Sequence, residues 1–455
     1  MNSEPDGVTL SPDLTQPTDT CRPTGPAQLT SPAQPTGPAR PTGPVEPTGL
    51  AEPPCPVLPT GPAQPTGPAR PTGPAEPPCP ALPTDPAQPT DPARSVGAGG
   101  PARRGLLGGL AALGTAAALA GCQGSRSPAP AAPSPPPRQP GVTDPQPARA
   151  LLLSYDVSPG VHGPAGRESV RRMFAAWTPL LTARDGPTVT VGLGPALFPR
   201  LGAHAPEALR DLPAFAGDRL RPEAGGGQVF LQICAASPAA CADLARRLER
   251  TAPGVLRPRW QQAGFLPETP RGETPRNLFG FKDGTANPNA KQADRWVWLG
   301  PGPHHNATYL VVRRIRLATA EFGELPVERQ ERVMGRRKAH GGPLQGGPEH
   351  AEPDLYAKTS QGGYLLPADA HVRLAHPRFD GGARILRRGY SYDNAPDDQG
   401  LLFLAYMNDP DLFARVQRRL AGHDALGPFV EHYGSAVFFV PPGAGPQRPL
   451  AEGVL

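Results

Sequence analysis

From residue 150 onward, apolar positions recur in two rhythms. Short runs rich in Leu, Val, Ile and aromatics read as strands: 150–157 (ALLLSYDV), 188–194, 227–235 (GQVFLQICA), 308–317 (TYLVVRRIRL), 401–407 (LLFLAYM) and 436–440 (AVFFV). Apolar residues spaced by three and four predict helices over 168–184, 237–251, 326–335 and 412–421. The order strand–helix–strand–strand–helix–strand thus occurs twice, approximately. That is a ferredoxin-like arrangement in duplicate, an α+β fold. We expect a dimeric α+β barrel type with halves of about 149–265 and 305–445, joined by a loop-rich middle.

Before residue 149 both rhythms vanish. The first 150 residues hold 37 of the 68 Pro, too little apolar surface to offset chain entropy. Pro-Thr-Gly-Pro recurs from 23–26 to 71–74 with a local period of six, and a period of 24 carries Cys55 onto Cys79. No repeat position supplies an apolar face, so residues 1–100 are expected to be disordered and polyproline-like. They are either a spacer or dispensable sequence upstream of the working start. Residues 101–122 place Arg103-Arg104 before an uncharged run ending in Leu-Ala-Gly-Cys122. This fits a twin-arginine-type signal, with Cys122 a candidate for lipidation; a buried Ala-rich helix is the alternative. Residues 123–148 read as a linker. The expected protein is therefore extracytoplasmic, secreted or at the cell surface.

Charge narrows the partners. The net charge is +5 with 45 basic residues, only four of them Lys, and no basic block; no nucleic-acid surface is implied. Six Cys form no CxxC pair, which excludes a zinc ribbon or c-type haem attachment. Cys234 and Cys241 are either a disulfide or two buried thiols. No HExxH, Walker A, GxSxG or GxGxxG signature is present. Chemistry concentrates in 277–288 (NLFGFKDGTANP), a single acid between glycines, and in His371-Val-Arg-Leu-Ala-His376-Pro-Arg378 with the following Arg384–Tyr392 (RILRRGYSY). On spacing alone, Asp283 reads as a turn residue with its own Asx hydrogen bond.

The string Gly280-Phe-Lys-Asp283-Gly284 resembles the GxxDG signature of the DyP-type haem peroxidases. GFKDGTANP is similar to the exported subfamily that includes the deferrochelatase/peroxidases of bacterial iron uptake. HVRLAHPR and ILRRGYSYD resemble two later blocks of the same family. The resemblance implies one haem b per chain with His371 as proximal iron ligand and Asp424 as its hydrogen-bond acceptor. It implies Asp283 as distal acid/base and Arg387 as distal cation. Gly284, Thr285, Ala286, His376, Pro377, Arg378 and Arg387 match haem-lining positions, although relatives usually carry Asn where this chain has His376. The implied activity is reduction of hydrogen peroxide with oxidation of dyes, phenols or other small organic reductants. A deferrochelatase role, freeing iron from haem beside an iron-permease system, is the alternative. A homo-oligomer is compatible with either. Tyr390, Tyr392, Trp296 and Trp298 either relay electrons or simply pack.

Overall fold

The computed structural model describes residues 135–445 and 447–455. The repeat region, the signal segment and residues 123–134 of the linker lie outside the described residues. Nine strands are present among the described residues: β1 Arg149–Val157, β2 Thr188–Leu193, β3 Val229–Ala235, β4 Leu256–Phe265, β5 Thr308–Leu317, β6 Leu386–Arg387, β7 Tyr390–Ala395, β8 Asp398–Met407 and β9 Val430–Val440. The α-helices are α1 Gly163–Leu181, α2 Leu197–Arg200, α3 Pro238–Thr251, α4 Ala290–Trp296, α5 Thr319–Gly323, α6 Val327–Met334, α7 His371–Leu374 and α8 Pro410–Leu420.

All pairings are antiparallel. The first half orders its strands β4-β1-β3-β2 and the second β9-β5-β8-β7, the same ferredoxin-like order twice. Single contacts join the halves at both edges, Leu193 opposite Phe439 and Phe265 opposite Ser391. The eight strands therefore close into one barrel, as the duplicated pattern predicted. β6 and β7 are one interrupted strand, since Leu386 faces Tyr406 and Tyr390 faces Leu402 in unbroken register against β8.

Alternation along the strands divides the core in two. Leu153, Tyr155, Val229, Leu231, Ile233, Val437 and Phe439 face outward into the helices. Ala150, Leu152, Phe230, Cys234, Leu310, Tyr390, Tyr406 and Phe438 fill the barrel, where Phe230 stacks on Phe438 at 4.7 Å. β3 is buried at every residue because both faces are covered. On α1, Val170, Met173, Phe174, Trp177 and Leu181 form the apolar stripe that covers the outer face. α3 starts where Ser237 accepts from Ala240 N–H and buries Cys241, Leu244, Ala245 and Leu248. Cys234 and Cys241 are separate buried thiols.

Two boundaries need correction. Residues 135–148, expected as linker, pack across one end of the barrel. Gln139 is 4% exposed and Val142 fully buried. Gln139 Nε2 donates to Val191 O (3.0 Å) and Pro441 O (2.9 Å), and its Oε1 accepts from Val191 N (2.8 Å). At the other end, Leu450, Ala451 and Leu455 join the outer core, so the folded unit continues past 445. Backbone–amide matching holds the first of these segments, and that leaves no hydrophobic pattern to read. Among the described residues no helix is long and apolar enough to cross a membrane.

Candidate active site

The 277–288 loop is built by local hydrogen bonds. Asn277 Oδ1 accepts from Phe279 N (3.1 Å) and Phe281 N (3.2 Å). Arg276 donates to Gly280 O and Lys338 O (both 2.7 Å) and to Ala339 O (2.8 Å). Gly280 and Gly284 have φ of +83° and +99°, a region that L side chains disfavour. Asp283 N–H donates to Pro275 O (2.9 Å). The Asx bond expected for Asp283 is not formed; its carboxylate stays outside the described hydrogen bonds and reaches the wall beside Gly389, 4.0 Å from where a Cβ there would stand. Asn287 then clasps the strand that carries Arg387. Its Nδ2 donates to Arg387 O (2.8 Å) and its Oδ1 accepts from Arg387 N (3.0 Å). This clasp brings the Asp283 loop and Arg387 together across 100 residues of chain.

His371 opens the one-turn helix α7. Gly335, at φ +90°, ends α6 and allows Leu366, Ala370 and Val372 to pack closely against it. Ala425 N–H donates to Asp369 O (2.9 Å), which ties the loop after α8 to the start of α7. That loop carries Asp424. Its Oδ2 lies 2.6 Å from His371 Nδ1, and its Oδ1 accepts from Leu426 N (2.9 Å). Burial pushes the imidazole pKa down, but the Asp424 carboxylate outweighs it and holds His371 above its ordinary value. Arg387 and Asp283 also act on the His371 charge, with opposite signs, so all four groups share one neighbourhood. His371 Nε2 has no hydrogen-bond partner among the described residues.

His376, Pro377 and Arg378 lie one turn further on, at the start of a 3-10 turn. Together with Glu352, Leu355, Tyr356 and Arg384 they line a cavity of about 360 Å³. His376 Nδ1 accepts from Arg378 N (3.2 Å), and its Nε2 is buried without a hydrogen bond, 3.6 Å from Glu352. Burial, with help from Arg384, Arg378 and Arg336, lowers its pKa against the opposing pull of Glu352. Gly284 turns the chain toward Asn287, whose N–H donates to Gly284 O at 3.1 Å. Thr285 O sits 3.2 Å from His350 Nδ1, and Ala286 is exposed. Arg336, which the sequence did not single out, is 6% exposed and close enough to Arg387 for the two charges to repel. It grips Gly341 O (3.0 Å) and Glu349 O (2.7 Å) and so holds the 341–351 loop.

The donor set fits a haem. Haem asks a protein for one axial nitrogen and for cations near its two carboxylates. Here a single imidazole has its outer nitrogen fixed, and Arg387 Nε and His376 Nε2 are buried donors or acceptors with nothing to bond. Comparisons with known proteins agree. Residues 139–266 match the N-terminal Dyp-type peroxidase family and residues 274–445 its C-terminal counterpart. The chain belongs to the DyP-type peroxidase family. It is 36% identical to the dye-decolorizing peroxidase of Thermobifida fusca, over 67% of this chain and 80% of that protein. It is 32% identical to a deferrochelatase of Escherichia coli, over 75% of this chain and 94% of that one. Ferric DtpA from Streptomyces lividans superposes with a TM-score of 0.65 at 35% identity, over 69% and 94% of the two chains. The protein is thus a haem-dependent enzyme of this family, and its relatives carry both names. Trp298, Tyr390 and Tyr392 are buried in the barrel core; Trp296 is partly exposed beneath Arg295.

Proposed function

We propose that the enzyme holds one haem b per chain through His371 and reduces hydrogen peroxide with Asp283 and Arg387. The observation that carries this reading is the 2.6 Å contact of His371 Nδ1 with Asp424, which leaves Nε2 as the free nitrogen of that ring among the described residues. The carboxylate fixes the tautomer and makes the ring a stronger donor. Bound haem supplies the redox iron for peroxide reduction and for one-electron oxidation of small organic donors such as phenols and dyes. Asp283 accepts a proton at a carboxylate oxygen from one peroxide oxygen and returns it to the other. Its lack of a competing Asx bond keeps that oxygen available. Arg387 holds a permanent positive charge toward the oxygen that becomes negative. Asn287 keeps both in register through the Arg387 backbone. Gly284, Thr285 and Ala286, with His376, Pro377 and Arg378, would line the cofactor. His376 and the surrounding arginines would hold the carboxylates of the cofactor.

Two variants test the assignment. Arg387→Leu and Asp283→Asn should each retain haem and slow the reaction with peroxide, by about 10²–10³ for one preorganised charge and about 10²–10⁴ for a positioned acid/base. Parent rates in both would remove Asp283 and Arg387 from the reaction.

The deferrochelatase relatives support a second reading, release of iron from haem with the porphyrin intact, serving an iron-permease system. Appearance of metal-free protoporphyrin under turnover separates it from peroxidase activity. The sequence of 101–122 supports export by a twin-arginine route, with Cys122 a lipidation site. A homo-oligomer is compatible with the activity.

A further inference from the structure

The segment at 135–148 does more than cover the barrel end. It runs from the end of β9, where Gly443 N–H donates to Pro137 O (2.7 Å), over β2 and β3, where Thr190 Oγ1 donates to Pro140 O (2.7 Å) and Gln232 Nε2 to Gly141 O (2.9 Å). It finishes against the strand that carries Arg387. There the sheet has a gap. β4 pairs with β7 only at Phe265 and Ser391, and the next N–H, that of Leu266, turns to Ala148 O (2.9 Å). Gly389 O is therefore left without a neighbouring strand. Gln146 Nε2 donates to it at 2.7 Å. Arg388, 4% exposed and with no carboxylate partner among the described residues, gives Nη1 to Asp144 O (2.5 Å) and Val142 O (3.4 Å). Tyr390 Oη donates to Pro147 O (3.1 Å). Three successive residues after Arg387 are thus anchored by this one segment.

We infer that residues 137–148 form the outer support of the peroxide-reacting side, with Gln146 a positioning residue for Asp283 and Arg387. This rests on the functional reading above. Asp283 Oδ2 lies on the Cα face of Gly389, 4.0 Å from where a Cβ there would stand. Gly389 is also the second residue after Arg387, whose own backbone is clasped on that same strand edge by Asn287. Gln146 and Asn287 therefore hold the same free edge of the interrupted stretch between β6 and β7, two residues apart. A side-chain amide does the work of the missing strand. Without it, an unsatisfied carbonyl shifts toward water and takes the Asp283 wall with it. His371 is held by α7 and Asp424, to which this segment makes no hydrogen bond among the described residues, so cofactor retention is expected to be independent of Gln146.

The test uses the full-length holoenzyme. Gln146 is only partly buried, so Gln146→Leu, which keeps bulk and removes the donor, and Gln146→Asn, which keeps the donor one methylene short, are both tolerable. Haem content, Soret position and thermal midpoint are measured beside the stopped-flow rate with peroxide. The expected result is parent-like haem content and midpoint, with the peroxide rate lowered about tenfold in Gln146→Leu and less in Gln146→Asn. Oxidation of a phenolic donor at saturating peroxide, where the donor step limits, should hold its parent rate. A parent peroxide rate in Gln146→Leu overturns the inference, and so does a loss that merely tracks lost haem or a lowered midpoint. Arg387→Leu run in parallel tells the two levels apart. If it is slow while Gln146→Leu is not, only the positioning role fails; if neither is slow, the functional reading fails first.

Discussion

Replacing Asp424 by Asn keeps the shape of the side chain and removes its charge. In the parent, Oδ2 sits 2.6 Å from His371 Nδ1 in a site where Asp424 is 9% exposed, so the hydrogen bond is charge-assisted and weakly screened. A hydrogen bond to a charged group contributes about 1.5–3 kcal/mol against about 0.5–1.5 for a neutral pair. The variant therefore loses roughly 1–1.5 kcal/mol of interaction. The negative charge favours the oxidised, more positive iron over the reduced one, so its removal raises the midpoint potential. A tenfold change in a one-electron equilibrium corresponds to about 59 mV. The expected shift is upward by about 40–60 mV, because about 1.4 kcal/mol equals one tenfold step. Spectroelectrochemical titration of the bound haem in parent and Asp424→Asn measures it. An unchanged midpoint, or one moved downward, would refute the claim that Asp424 acts on the cofactor through His371.

Other consequences can be checked more quickly. Burial, then the charge of Arg313, pushes the His432 pKa down to about 4 from 6.5. A depressed histidine gives stability that is present above the unfolded value and lost as pH falls, so the unfolding free energy read from denaturant titrations should drop between about pH 6.5 and 4, by on the order of 2–3 kcal/mol, and His432→Gln should flatten that slope. Phe438 is fully buried and stacks on Phe230 inside the barrel; Phe438→Ala should cost about 3–5 kcal/mol in urea unfolding. Changing Arg103 and Arg104 together to Lys should leave the protein inside the cell, as fractionation and immunoblotting would report.

How much of this was legible depended on what kind of force holds each part. The strands of both halves were readable because β1, β3, β5 and β8 bury Leu, Val, Ile and aromatics in runs. β4 was missed because Trp260, Gln262 and Gly264 are its buried positions, with Arg and Gln outward; its alternation is real but not hydrophobic. β8 and β9 extend beyond their predicted cores for the same reason, through polar residues such as Gln399 and Glu431. The 135–148 segment has a linker's composition, and its docking relies on Gln139, Gln146 and backbone carbonyls. Within the site, the loop around Asp283 and the two later blocks stood out by resemblance, and the fold brings them to one place. Asn287, Arg336 and Gln146 did not stand out. Each matters through a partner far away in sequence, which spacing cannot encode. His376 lines the cavity, where its Nε2 is buried without a hydrogen bond among the described residues.

The central claim is that His371 is the protein's bond to haem iron, and the absorption spectrum of purified His371→Ala tests it most directly. Parent and variant are prepared side by side, and haem content is measured per polypeptide. The account predicts that the parent shows a full Soret band, whereas His371→Ala is folded by circular dichroism but carries little or no haem. Retention of stoichiometric haem with an unchanged spectrum in the variant would contradict it and move the iron to another histidine, such as His376 or His340.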